Sequence, residues 1–208
     1  MSIKGELTLR NIVETKIPVF DFKGDWYNAF GQPQRNGIWF IYGGSGHGKT
    51  SFILKLIKEL AKYGKILFVS YEEGSASTLL QEGISRFGLM EANKKVSVCT
   101  KSGKELSERL DNHKCPHIVI IDSLDMSEFK RVEQVIALKN KYKSKLFIFT
   151  GWAKSKVPAK RIGEDVLFIA NQKIFVEGYR AISRGRSFGE LGYLTIWEKG
   201  ATEYWEFK

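Results

Sequence analysis

Cysteine and histidine are scarce in this chain. Of 208 residues only Cys99 and Cys115 carry a thiol, and their spacing is not that of metal ligands. The pair reads as reduced, structural thiols of a cytosolic protein, not as a disulfide framework. The three histidines, His47, His113 and His117, form no ligand cluster, so a structural zinc is not expected. No apolar run approaches the length of a membrane span, and Met1 to Asp21 lacks the compact apolar segment of a signal peptide. No membrane association is expected, and the location expected is the cytoplasm of a bacterium or of a phage-infected host. Internal repeats and low-complexity segments are missing as well. One local absence is informative: between Gln134 and Gly163 there is no Asp or Glu.

What is present is globular. Hydrophobic residues make up 43% and aromatics 13%, enough for a substantial core in one domain of this length. The formal net charge is +10, and it is unevenly spread. The acid-free stretch carries Lys139, Lys141, Lys143, Lys145, Lys154, Lys156, Lys160 and Arg161. Two readings stay open: a solvated face, or a surface for a polyanionic partner such as nucleic acid.

The most informative run is Gly43-Gly44-Ser45-Gly46-His47-Gly48-Lys49-Thr50, which fits G-x-x-x-x-G-K-[ST] without a gap. Apolar Ile38–Tyr42 enters it and an amphipathic segment, Ser51 to Tyr63, leaves it. In that strand–loop–helix setting the glycines let the backbone wrap a phosphate, and the helix presents its positive end. Lys49 is expected to reach the β- and γ-phosphates and the Thr50 hydroxyl to sit on Mg²⁺, with Ser51 completing the nucleotide-binding stretch.

Along the chain, residues 1–36 read as an N-terminal extension packing on a core that spans 37–208. Phe52, Ile53, Leu56, Ile57 and Leu60 share one helical stripe, closed by Gly64. Lys65–Ser70 is an apolar strand, followed by a helix from about Ser75 to Phe87. A short strand at Val96–Val98 and a small helix near Glu105–Leu110 come next. His117–Ser123 reads as a buried strand, Ser127 to Tyr142 as a helix, and Leu146–Thr150 as a strand opening into a basic loop, Gly151–Gly163. Strands are expected at Val166–Ile169, Ile174–Tyr179, Tyr193–Trp197 and Tyr204–Phe207, the last two forming a hairpin about Lys199-Gly200. Strands alternating with helices predict an α/β domain: three layers, a mainly parallel central sheet and antiparallel edge strands at the C-terminal end.

Two acidic elements belong with the phosphate loop. Four apolar residues ending in Asp122 form a Walker B pattern, which delivers a carboxylate to the sheet edge where Mg²⁺ would be held. Glu72 and Glu73 end the strand after the loop's helix. They either orient and deprotonate a water or cap the helix that follows.

These residues carry a family resemblance. Ile66–Gly74 resembles the strand of the RecA/RadA/DnaB ATPases that ends in the catalytic glutamate. This puts that role on Glu72, with Glu73 as the second choice. Asp122-Ser123 is similar to the Asp-Ser that closes that family's Walker B strand. Tyr179–Gly192 resembles a Lys-Asn-Arg-Phe-Gly region whose basic residues reach the γ-phosphate of a neighbouring subunit, which implies Arg184 or Arg186 acting in trans.

The resemblance spans about Ile17 to Trp197. It implies a minimal RecA-like ATPase core of the phage or mobile-element type, binding ATP and Mg²⁺ between the subunits of a ring or filament. It lacks zinc-finger, protease-like and helical N-domain additions. Such a core would act on single-stranded DNA in recombination or replication, with protein partners of those processes. One departure concerns the polar Gln or His that the family places after its fourth core strand: Trp152 stands there and cannot play that role, which leaves Thr150 as the substitute. The family's two DNA-binding loops fall at about Leu124–Glu128 and Gly151–Gly163. The second holds Lys154, Lys156, Lys160 and Arg161, with Trp152 either stacking on a base or serving as a core aromatic. A second function class, a regulatory P-loop protein whose nucleotide state controls assembly with a protein partner, also fits. A small-molecule kinase lacks its lid and acceptor pocket here.

Overall fold

The computed structural model describes residues 7–72, 77–99, 103–185 and 187–207. Glu73 and Arg186 therefore lie outside the described residues. The chain begins with two short helices, α1 (Leu9–Glu14) and α2 (Gly24–Phe30), and enters the sheet at β1 (Gly37–Gly43). Then come α3 (Lys49–Leu60), β2 (Ile66–Ser70), α4 (Thr78–Arg86), a 3₁₀ stretch (Leu89–Lys95), β3 (Val96–Cys99) and α5 (Gly103–Asp111). The second half runs β4 (Ile118–Asp122), a 3₁₀ turn (Leu124–Met126), α6 (Val132–Lys141), β5 (Leu146–Lys154) and β6 (Val157–Pro158). It closes with α7 (Arg161–Ile169), β7 (Gln172–Glu177), β8 (Arg180–Ser183), β9 (Tyr193–Thr195) and α8 (Glu198–Glu206).

The strands form one sheet in the order β3-β2-β4-β5-β1-β7-β8-β9, with β6 paired to β5. From β3 through β7 the neighbours are parallel, and β8 and β9 add as antiparallel edge strands. Alternation along the strands feeds two cores. Trp39, Ile41, Phe68, Ile120 and Ile148 face α3 and α4, and they bury Phe20, Phe22 and Phe30 from the N-terminal segment. Ile38, Phe40, Tyr42, Val119, Phe147 and Phe149 face the opposite way, against Leu106 of α5, Val135 of α6 and Val166 of α7. Strands buried on both faces read as continuous apolar runs, which is why β1, β2, β4 and β5 were legible. The architecture is the three-layer α/β arrangement expected.

Three local expectations are corrected. Val166–Ile169 is the end of helix α7, not a strand. Ile162, Val166 and Ile169 fall at helical spacing and pack on one core, which a four-residue apolar window hides. Tyr204–Phe207 is no strand either: α8 covers Tyr204 to Glu206, and Lys199 and Gly200 sit in its first turn, so no terminal hairpin forms. Instead Ala201 is buried inward and the aromatic side chains reach back to Glu177 and Gly178. The basic stretch Gly151–Gly163 is not a loop. Strand β5 continues to Lys154, turns through Ser155 and Lys156, and pairs back with Val157 and Pro158 before α7 begins at Arg161.

Candidate nucleotide site

The phosphate loop leaves β1, which lies between β5 and β7 in the sheet. Gly43 is required where these strands meet, because a Cβ there would strike the Val176 carbonyl. Gly46 (φ +78°) and Gly48 (φ +92°) hold left-handed backbone that turns the loop into α3. Gly48 occupies the N-cap of α3 with no side-chain cap, so the first-turn amides of Lys49, Thr50 and Ser51 face an anion or water. The Lys49 ammonium stands 3.5 Å from the Gly43 carbonyl. His47 turns its side chain out of the loop: its Nδ1 accepts the Gly178 N–H at 3.0 Å. A cavity of about 770 Å³ opens over this loop, lined among others by Gly44, Lys49, Thr50, Glu72, Trp152 and Tyr179.

The sheet order explains how residues far apart in sequence reach one edge. Strand β5 runs between β1 and β4, with Trp152 in register with Gly43. Strand β2 lies beyond β4, with Ser70 in register with Asp122. The C-terminal ends of β1, β5, β4 and β2 thus present, in that order, the loop, Thr150 and Trp152, Asp122 and Ser123, and Glu72. Asp122 is buried and its Oδ1 accepts the Thr150 hydroxyl. Glu72 is exposed, and its Oε1 accepts the Ser123 hydroxyl at 2.7 Å and the Trp152 indole N–H. Next to it, the Tyr71 hydroxyl donates to Glu128 at 2.6 Å. Burial, together with that carboxylate, pushes the Tyr71 phenol above its ordinary range.

The oxygen donors suit a hard cation with phosphate. The Thr50 hydroxyl and the Asp122 carboxylate are the residues that would hold Mg²⁺, and the loop amides and Lys49 would hold the phosphates. Among the described residues no group of three or more His, Cys, Asp or Glu side chains could hold a metal by itself. This donor set therefore fits an ion that arrives bound to phosphate and keeps several waters.

The remaining expected residues lie apart from this cavity. Arg184 follows β8, its N–H bonded to the Lys173 carbonyl and its guanidinium 4.7 Å above the Phe175 ring. Burial raises the neighbouring Tyr42 phenol, and the Arg184 charge opposes that rise. Since β8 runs antiparallel to β7, Arg184 sits away from its own phosphate loop. Lys154 and Lys156 are exposed at the β5–β6 hairpin, and Arg161 is exposed at the start of α7. Lys160 is engaged internally: its ammonium donates to the Asp125 carbonyl at 2.7 Å and lies 5.6 Å from the Trp152 ring centre. Asp125, in the stretch expected to be the first DNA loop, is buried, and its carboxylate accepts the Trp152 backbone N–H at 2.6 Å.

Tyr179 escaped the sequence reading. It occupies left-handed backbone (φ +58°) beside Gly178 (φ +51°), in the two-residue turn joining β7 and β8. Both positive φ values belong to a hairpin turn that ordinarily takes Asn or Gly. The turn holds this bulky residue at the rim of the cavity. Its ring packs edge-on against Trp197 at 4.9 Å, and a Cβ on Gly48 would come within 3.1 Å of it. A tyrosine directly after glycine at the end of an apolar strand is the only signal the sequence offers.

No protein-family model matches the sequence, and no curated protein does. Solved structures do match. A KaiC-like protein, PH0186, from Pyrococcus horikoshii OT3 superposes with a TM-score of 0.61 at 20% identity, covering 85% of this chain and 99% of that one. The flagellar accessory protein FlaH from Methanocaldococcus jannaschii gives a TM-score of 0.58 at 15% identity, covering 86% and 92%. At such identities the likeness shows the fold, a RecA-like P-loop arrangement over most of the chain.

Proposed function

We propose that this chain binds ATP with Mg²⁺ and hydrolyses it, and that it works as an assembly of copies with nucleotide at the subunit interfaces. The observation that carries the reading is a phosphate loop and Glu72 lining one cavity, at the C-terminal edge of the sheet where Asp122 also ends its strand. Lys49 and the loop amides bind and orient the phosphates, Thr50 and Asp122 hold the metal, and Glu72 draws a proton from the attacking water. The metal, when bound, neutralises charge developing on the phosphates. Arg184 or Arg186 reaches the γ-phosphate held by a neighbouring copy. The exposed Lys154, Lys156 and Arg161, with Lys160 and Trp152 behind them, form the surface for single-stranded DNA, in recombination or replication. Residues 1–36 serve as a segment packed on the ATPase domain.

The test is ATP turnover, sedimentation and single-stranded DNA binding measured on the full chain at low salt. Expected are Mg²⁺-dependent turnover lost in Glu72→Gln with ATP binding retained, self-association with ATP, and ATP-stimulated DNA binding. A strictly monomeric, ATP-insensitive protein overturns the reading.

One observation favours a second reading, a regulatory P-loop protein that controls assembly with a protein partner. Lys160 and Trp152 commit their polar groups to Asp125 and Glu72, so two of the five DNA candidates are already engaged. Charge reversal of Lys154 and Lys156 without effect on activity would support it.

A further inference from the structure

We infer that Trp152 is a positioning residue for Glu72, its indole N–H holding the carboxylate over the phosphate cavity. The inference rests on the hydrolytic reading of that site. Glu72 follows β2 and its side chain is exposed, so burial does not hold it. A free glutamate samples many rotamers, whereas a general base has to stay within hydrogen-bond reach of the water it deprotonates. Two donors supply the restraint. The Ser123 hydroxyl and the Trp152 indole both land on Oε1. Oε2 is left without a protein donor among the described residues, and it is the oxygen available to accept a proton.

The indole is itself fixed from behind. The Trp152 backbone is in register with Gly43, so the ring's root moves with the phosphate loop. Its N–H is bonded to the buried Asp125 carboxylate, and the Lys160 ammonium sits over the ring while donating to the Asp125 carbonyl. A tryptophan kept only as a stacking surface needs no partner for its N–H. A core tryptophan would not be 40% exposed. Here the ring is part open and its one polar atom is committed to the candidate base. The base of the hairpin and the cavity therefore meet at one side chain, Trp152.

The experiment uses the full chain and compares wild type, Trp152→Phe, Trp152→His, Glu72→Gln and the Trp152→Phe/Glu72→Gln double variant. Phe keeps an aromatic ring without the donor; His restores a ring N–H. The expected result is a fall in kcat of about tenfold for Trp152→Phe, the size of one hydrogen bond to a charged group. KM should stay within about twofold, since Phe keeps the ring that lines the cavity and only the N–H is lost. Trp152→His should recover most of the loss, and Trp152→Phe should cost nothing further on top of Glu72→Gln. Wild-type kcat in Trp152→Phe, or a His variant as slow as Phe, overturns the inference while leaving the hydrolytic reading intact.

If wild type itself turns over no ATP, the hydrolytic reading fails first. The contact is then judged by fluorescence. The Trp152 emission, isolated as wild type minus Trp152→Phe, should shift in Glu72→Leu. An unchanged Trp152 emission overturns the inference on its own.

Discussion

Nδ1 of His47 accepts a hydrogen bond from the Gly178 N–H at 3.0 Å, joining the middle of the phosphate loop to the turn between β7 and β8. The same turn returns a bond from the Tyr179 N–H to the His47 carbonyl. From the other side, the Trp205 indole donates to the Gly178 carbonyl and the Tyr204 ring stands edge-on to the His47 imidazole at 5.4 Å. The loop is thus braced by α8 through two layers of contacts. His47 occupies a position the loop pattern leaves free, and in this chain it is structural.

Replacing His47 by Ala should therefore destabilise the protein and weaken nucleotide binding together. The buried Gly178 N–H would lose its acceptor, at a cost of about 1–3 kcal/mol. Denaturant midpoints and an ATP titration check the two effects. Unchanged stability would show that the brace is not energetically coupled to the fold.

Gly178→Ala tests the same brace from the opposite side. Its φ of +51° disfavours any side chain, and the Tyr204 ring occupies the space a Cβ would take. Overpacking of this kind costs about 1–3 kcal/mol, to which the left-handed backbone adds. Gly178→Ala/Tyr204→Ala should recover the steric part and not the backbone part. Thermal midpoints of the four species separate them.

The contrast between β1 and α8 shows how far the fold was legible. Ile38–Tyr42 is apolar on both faces because helices cover both sides of the sheet, and such a run announces itself. The segments that failed, Val166–Ile169 and Tyr204–Phe207, are short aromatic or β-branched runs whose helical stripe emerges only with residues upstream of them. Strand β8 was invisible for the opposite reason: Arg180 to Ser183 is half polar, and pairing with β7 and β9 decides its state. At the site, Gly43–Thr50, Glu72 and Asp122 were readable because each follows a buried strand. The contact of Trp152 with Glu72 was not, since a donor's target cannot be read from its own segment. It becomes visible only once the sheet order sets β5 between β1 and β4.

Tyr71 gives a prediction in pH. Its phenol is raised above the ordinary 10.0 by burial and then by the Glu128 carboxylate it donates to. A raised acid is held neutral in the folded state, so its stabilising contribution is complete below the unfolded value. It is lost as pH climbs from there toward the higher folded value. Stability should fall with pH above about 10 in wild type, and Tyr71→Phe should flatten that decline while removing the Glu128 bond at neutral pH. Equilibrium unfolding between pH 8 and roughly 11 measures both. An identical alkaline slope in the variant would place the titration elsewhere.

The hairpin lysines offer the cleanest decision between the two proposed partners. Lys154 and Lys156 are exposed on either side of Ser155, and neither has an ion-pair partner among the described residues. Each lysine that neutralises a single-strand phosphate releases about 0.7 of a counterion, so two of them contribute a slope near 1.4 in log K against log salt. Lys154→Ala/Lys156→Ala should lower the measured slope by about that amount and weaken binding evenly across sequences. ATP turnover without DNA should stay at the wild-type rate, because neither side chain lines the nucleotide cavity. A slope unaltered by the double variant would mean that these ammonium groups stay hydrated in the complex. The hairpin would then be a solvated face, and the partner-protein reading would replace the nucleic-acid one.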